Sequence, residues 1–360
     1  MGLAVVRSLS SARDAEDLEA FEQELVDQYA LSGIGAGLTD GYVGYERAVL
    51  FEYLRFLGRP VWTTRAADAD RYLAYLRTER KLARHTVQMK AWTLSRFFDF
   101  LLARSAGDIH ALTGFVIEQP IDEFNRPSNA DYDTAVRIPP CDEEVEALFG
   151  QWRMSVFNDS RKYLTAARDY VAASLWRRLG LRINETVMLD VGDWQRQLGG
   201  FGKLHVRFGK GSRGRGAKPR LVTAINDVDV LLDWWFVEVR HQFGDDWTQP
   251  DAPLLPSERR DPTTGMRARA GDDTLRRALE TAVASWLPTW SGRLTPHVLR
   301  HYCASSLYGH GLDLKAIQDI LGHEWLSTTT RYIHVHDDHV ERAWIESNER
   351  VGHRLAGQGA

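Results

Sequence analysis

The sequence predicts a mainly α protein in two domains, the second holding one small antiparallel sheet. Three observations support this. The chain has 360 residues, more than one hydrophobic core usually serves. Apolar residues recur at three- and four-residue spacing through the first hundred positions, which is the signature of amphipathic helices. Beyond about residue 140, helical stretches are interrupted by three short strand-like runs and a glycine-rich basic turn. Residues 1–105 therefore read as a helical domain with an acidic leader, 106–138 as a linker, and 139–360 as a second domain with a helical tail.

Taken in order, the helices of the first domain are expected at Ala15 to Tyr29, Tyr42 to Leu57, Ala67 to Arg77 and Thr86 to Leu102. In the last of these, Trp92, Leu94, Phe97, Phe98, Leu101 and Leu102 form a broad apolar stripe. Arg84, Lys90 and Arg96 give it a basic character, and they are candidate DNA contacts. From Ser105 to Pro140 the periodicity fades among Gly107, Gly114, Pro120, Pro127 and the pair Pro139-Pro140, hence the linker. The second domain should open with helices at Asp142 to Trp152 and Tyr163 to Leu179. A sheet built from Val187 to Trp194, Lys203 to Phe208 and Arg220 to Ala224 should follow, with the basic loop Gly209 to Gly216 between its last two strands. Further helices are expected at Val228 to Phe243, Asp273 to Trp286, Pro296 to Tyr308, Asp313 to Leu321, Thr328 to Val335 and His339 to Leu355.

Composition narrows the function classes. An apolar share of 44% with 26% charged residues describes a globular chain able to bury a core. No stretch approaches the roughly 18 to 20 uninterrupted apolar residues of a membrane span, and the first apolar run is too short for a secretion signal. A cytoplasmic, nucleoid-associated location without a membrane partner is the expectation. The two cysteines, Cys141 and Cys303, stand far apart, so neither a disulfide framework nor a cysteine zinc site is indicated. The net charge of −4 hides a segregation: residues 1–60 carry 5 Lys/Arg against 10 Asp/Glu, and residues 161–220 carry 14 against 4. A dense basic block suits a phosphate-facing surface, because the local field governs counterion release, although a solvated basic face has the same composition.

The chemistry-bearing residues fall in four segments. In Thr295-Pro296-His297-Val298-Leu299-Arg300-His301 the threonine suits an N-cap and the proline the first helical position, which sets His297 and Arg300 three residues apart on one face. In Leu179-Gly180-Leu181-Arg182-Ile183-Asn184-Glu185 an arginine follows a glycine turn, with an acidic residue three positions on to hold its guanidinium. The loop Gly209-Lys210-Gly211-Ser212-Arg213-Gly214-Arg215-Gly216 offers a lysine between two glycines. In the stretch from Leu321 to Val335, LGHEWLSTTTRYIHV, His323 follows a helix-ending glycine and Tyr332 lies nine residues beyond it. Each feature alone is as well explained by packing or an ordinary ion pair.

Together, Arg182, Lys210, His297, Arg300, His323 and Tyr332 resemble, in order and spacing, the tyrosine recombinase or phage integrase family. The resemblance covers about Pro139 to Val335, and the front half is diffusely similar to that family's core-binding domain. It implies an α+β catalytic domain that breaks and rejoins DNA through a 3′-phosphotyrosine. Tyr332 would be the nucleophile, Arg182 and Arg300 the phosphate clamp, His297 the proton acceptor and His323 a further donor. Lys210 would be the general acid and Glu185 the residue that orients Arg182 or a neighbouring histidine. Arg213, Arg215, Lys218, Arg220 and Arg331 are candidate phosphate contacts. The loop is longer than the common GKG-x-K-x-R pattern, which leaves the hairpin register open. Neither a cofactor nor a metal is expected, since the arginines supply the charge. The partners implied are double-stranded recombination sites and, on synapsed DNA, a homotetramer assembled from free monomers, with an accessory directionality factor left open. The tail from His339 to Leu355 would pack on a neighbouring protomer or fold back on its own domain. Three competing readings remain: a type IB topoisomerase-like enzyme, a catalytically silent DNA-binding protein, and a metal protein using His297, His301, His310, His323, His334 and His336.

Overall fold

The computed structural model describes residues 15–127, 138–158, 162–209, 218–323 and 329–330. The expected loop from Lys210 to Gly216, the helix beyond Thr330 and the tail from His339 to Leu355 lie outside the described residues. The chain divides into two compact units, whose described parts are 15–127 and 138–330. Among the described residues no helix is long and apolar enough to cross a membrane.

The first unit contains α1 (Ala15–Gly35), α2 (Asp40–Leu57), α3 (Ala66–Thr78), α4 (Arg84–Arg104) and α5 (Ala106–Thr113). Their apolar faces meet in one core built around Leu25, Leu50, Tyr53, Tyr72, Leu94, Phe97 and Phe98. Helix α2 starts on the Thr39 hydroxyl, which accepts from the Tyr42 N–H at 3.4 Å, and ends at Gly58 in the left-handed region. Two carboxylates, the half-buried Glu52 and the buried Glu46, tie the helices together. Glu52 accepts from Tyr72 Oη at 3.1 Å and from Lys90 Nζ at 2.6 Å, and Glu46 accepts from Tyr29 Oη at 3.1 Å and from Arg96.

The expected linker starts too early. Helix α5 and the segment after it belong to the first core, into which Ile109, Ile117 and Ile121 are buried. Gln119 fastens this segment to α4 by donating to the Ser95 carbonyl at 3.0 Å and to Asp99 at 2.6 Å. An extended strap contributes isolated apolar residues, so it shows no helical period to read.

The second unit runs α6 (Asp142–Asn158), α7 (Tyr163–Leu179), α8 (Ile183–Val187), β1 (Trp194–Gln195), β2 (Lys203–Gly209), β3 (Lys218–Thr223), α9 (Val228–Trp234), β4 (Pro256–Arg260), β5 (Arg267–Arg269), α10 (Asp272–Trp286), α11 (Pro296–Gly309) and α12 (Leu314–Leu321). Helix α7 lies at the centre, with Val171, Ala172, Ala173, Leu175, Trp176 and Leu179 all buried, the pattern of a helix covered on every side. The sheet has the order β1-β2-β3, antiparallel throughout, with Leu204 opposite Val222 and Val206 opposite Arg220. A second, two-stranded sheet, β4-β5, escaped the sequence reading because its strands are short, polar and basic.

Two further expectations need correction. The strand expected at Val187 to Trp194 is almost entirely absent: Val187 closes α8, a single 3₁₀ turn spans Val191–Asp193, and only Trp194 belongs to a strand, the two-residue β1. The segment is held instead against the chain at 252–254 by backbone hydrogen bonds, Val191 N–H to Ala252 O at 2.8 Å and Leu254 N–H to Leu189 O at 2.9 Å. The helix expected at Val228 to Phe243 is helical throughout, but it widens into a π turn at Trp235–Val239 and tightens to 3₁₀ at Arg240–Phe243. At that end Arg240 is fully buried, donating to both oxygens of Asp245 at 2.7 and 3.0 Å and to the Pro253 carbonyl at 3.0 Å.

Candidate active site

Four elements of the second unit converge on one cluster. Helix α7 ends at Gly180, whose φ of 61° turns the chain so that Arg182 stands at the entrance of α8. A Cβ at Gly180 would lie 2.4 Å from Leu321 Cδ2 and 3.4 Å from Cys303 Sγ, so glycine is required both for the turn and for the close approach of α12 and α11. Helix α11 begins as expected: the Thr295 hydroxyl accepts from the Val298 N–H at 3.3 Å, and Pro296 occupies the first turn. Arg300, one turn on, is 1% exposed and reaches across the cluster. It donates to the Gly180 carbonyl, to the Leu321 carbonyl at 2.7 Å and to His323 Nε2 at 2.9 Å.

Helix α12 starts on Asp313, whose carboxylate accepts the N–H groups of Lys315 and Ala316, each at 2.9 Å, and ends at Gly322 with φ 66°. That turn delivers His323. Its backbone is clamped by Gln318, whose carbonyl oxygen accepts the His323 N–H at 3.1 Å while its Nε2 donates to the His323 carbonyl at 3.0 Å. Because a guanidinium can only donate, His323 Nε2 is the accepting nitrogen, so Nδ1 carries the proton. Nδ1 then donates to the Thr329 hydroxyl at 3.0 Å. Burial, followed by the positive charges of Arg300, Arg182 and Arg220, holds the His323 pKa down to about 3, so the ring is neutral.

Glu185 is the centre of charge compensation. Its Oε2 accepts the Arg182 N–H at 2.9 Å, its Oε1 accepts Arg182 Nη1 at 2.7 Å, and Arg220 donates to both oxygens at 2.9 Å. Burial alone would raise this carboxyl, but the hydrogen bonds and charge of Arg220, with those of Arg182, outweigh it and bring the pKa down to about 2.

The structure thus brings Arg182, Glu185, Arg300 and His323 together. His297 is exposed at the start of α11, its ring edge-on to His301 at 4.8 Å between centroids. Tyr332, Lys210, Arg213, Arg215 and Arg331 lie outside the described residues. Arg220, expected on the DNA, turns instead to Glu185. Lys90, also expected on the DNA, is buried against Glu52, and Arg96 is engaged by Glu46. Arg84 is exposed, and Lys218 opens β3 on an exposed position. Sequence reasoning overlooked Thr329, Gln318 and the role of Arg220. The threonine was readable only as a member of the Ser327 to Thr330 hydroxyl run, while the other two depend on contacts made across the fold. Among the described residues no group of three His, Cys, Asp or Glu could hold a metal ion.

Two guanidinium groups share the Glu185 carboxylate and a third is bonded to the neutral His323 ring, a set with more positive than negative charge and the chemistry to stabilise charge on a phosphoryl group. The profile described as "Phage integrase family" matches residues 154–339. The chain belongs to this family, the tyrosine recombinases, and is a site-specific recombinase by class. Among its relatives, tyrosine recombinase XerC of Staphylococcus haemolyticus is 28% identical over 294 residues, covering 79% of this chain and 82% of that protein. XerC of Vibrio parahaemolyticus is 25% identical over 302 residues, covering 83% of each. The fold is similar to that of the Tn1549 transposon integrase solved with a circular intermediate DNA, with a TM-score of 0.60 at 17% identity over 90% of this chain and 98% of that one. It is also similar to XerH site-specific recombinase bound to palindromic difH substrate, with a TM-score of 0.59 at 18% identity over 95% and 86%.

Proposed function

We propose that this chain cuts and rejoins double-stranded DNA at specific sites through a covalent 3′-phosphotyrosine at Tyr332. The observation that carries the reading is the convergence of Arg182, Arg300 and His323 from α8, α11 and the α12 turn on one buried cluster. In this reading Arg182 and Arg300 bind the non-bridging oxygens of the scissile phosphate and stabilise the charge that builds there. The Tyr332 oxygen attacks phosphorus as its proton passes to His297, and the bond to the 5′-oxygen breaks as Lys210 protonates that oxygen. Rejoining runs the same steps in reverse, with the 5′-hydroxyl of the partner strand as attacker. The phosphodiester energy is kept in the tyrosine link, so no nucleotide cofactor is needed.

Exchange between two sites then takes four protomers, two active at a time, through a Holliday junction, and a mobile-element origin fits the long helical front half. The test supplies a nicked suicide substrate carrying the genomic flanks of the gene. Wild type should accumulate a covalent protein–DNA adduct and Tyr332→Phe none. An adduct of equal yield in Tyr332→Phe would overturn the assignment.

A further inference from the structure

We propose that Arg220 is a positioning residue of the phosphate clamp: by taking both oxygens of Glu185, it compensates that carboxylate and leaves the charge of Arg182 for the phosphate. The inference rests on the reading of Arg182 as a clamp residue. Glu185 carries one negative charge and is gripped by two guanidinium groups, Arg182 at 2.7 Å and Arg220 through two bonds of 2.9 Å. The group of three therefore retains one positive charge. Without Arg220, Glu185 would form a closed pair with Arg182 and cancel the charge intended for the substrate.

The surroundings hold Arg220 to this task. Its Nε donates to the Ile320 carbonyl at 3.3 Å, so three of its donor positions are used inside the protein. Its side chain is 13% exposed, and both of its terminal nitrogens are committed to the Glu185 carboxylate. The guanidinium lies against Gly322: a Cβ there would come within 2.7 Å of Arg220 Nε and 2.8 Å of Cζ. One side chain thus joins β3, α8 and the turn that presents His323. Because β3 is the strand that follows the Lys210 loop, the clamp is fixed to the hairpin that carries the proposed general acid.

The experiment measures adduct formation on the suicide substrate at saturating DNA, together with the salt dependence of binding. Arg220→Gln should slow cleavage by about 10²-fold, the scale for losing one charge-stabilising donor, with the salt slope of binding unchanged. Adding Glu185→Gln removes the uncompensated carboxylate and should restore at least about tenfold of that loss. A merely structural role would not give such suppression. Arg220→Lys keeps a charge and is the gentler variant for folding. Its saturated rate should fall by about tenfold, because one ammonium cannot hold both carboxylate oxygens. Three results would overturn the proposal: an Arg220→Lys rate equal to wild type, a second substitution that deepens the defect, or a salt slope lowered by about one with saturated cleavage intact, which would mark a phosphate contact. Absence of a wild-type adduct would instead count against the phosphotyrosine reading itself.

Discussion

His323 shows how much of the site depends on single atoms. With Nε2 accepting from Arg300 and Nδ1 donating to Thr329, the ring is fixed in one tautomer and kept neutral. A folded pKa of about 3 against an ordinary value of about 6.5 means that the unfolded chain takes up a proton which the folded chain refuses. The stability contributed is complete above pH 6.5 and is lost as pH falls toward 3, at no more than about 1.4 kcal/mol per pH unit. Urea denaturation at pH 7, 5.5 and 4.5 should show that slope reduced in His323→Gln. The comparison of the two curves removes the opposing contribution of Asp169, whose carboxyl burial pushes up to about 6. Thr329→Val, similar in size and lacking the hydroxyl, should slow cleavage by about tenfold while Thr329→Ser retains it, read from adduct formation at saturating DNA. The bond between Arg182 and Glu185 was legible because the partners stand three residues apart on a short helix. The partners of Lys90 and Arg220 were not, since Glu52 and Glu185 lie 38 and 35 residues away and only the fold introduces them.

At the scale of elements, long amphipathic helices were legible where periodicity and end signals agree, whereas α1 and α6, with no stop signal at the expected end, run on to Gly35 and Asn158. Tyr163–Leu179 with Gly180 behind it and Pro296–Gly309 with Thr295 ahead are the clearest cases. What failed were pieces whose residues answer to distant partners: the strap after α5, the turn at Val191–Asp193 and the β4-β5 hairpin. The glycine turn between α7 and α8 permits a direct test. Gly180→Ala forces an alanine into the left-handed region and into Leu321, and it should cost about 2 kcal/mol or more in the urea midpoint with the m-value unchanged. Combining it with Leu321→Ala should recover part of that cost if steric overlap is its cause, whereas pure backbone strain would leave the penalty of Gly180→Ala the same in both backgrounds.

For the whole molecule, the buried apolar clusters of the first unit and of the second share no residue, which implies two separable folding units. A fragment of residues 15–127 should be helical by circular dichroism and melt cooperatively. A non-cooperative melt would show that its core depends on the second unit. Charge at this scale was legible in total and misleading in use. Much of the basic block at 161–220 is answered by acids: Arg177 by Glu146, Arg178 by Asp227, Arg196 by Asp233, and Arg207 by Asp190 and Asp193. Phosphate affinity of the described second unit should therefore be weaker than the residue count suggests. A salt titration of DNA binding checks this, with an expected log–log slope well short of the local excess of +10.

The enclosed contact between Arg240 and Asp245 constrains how this lineage can change. Losing either member alone strands an ion in the interior and costs about 3–5 kcal/mol, whereas replacing both with apolar residues of matching volume can be close to neutral. Mutational drift at these two positions should therefore proceed by paired exchange, with each single-step intermediate selected against for failing to fold.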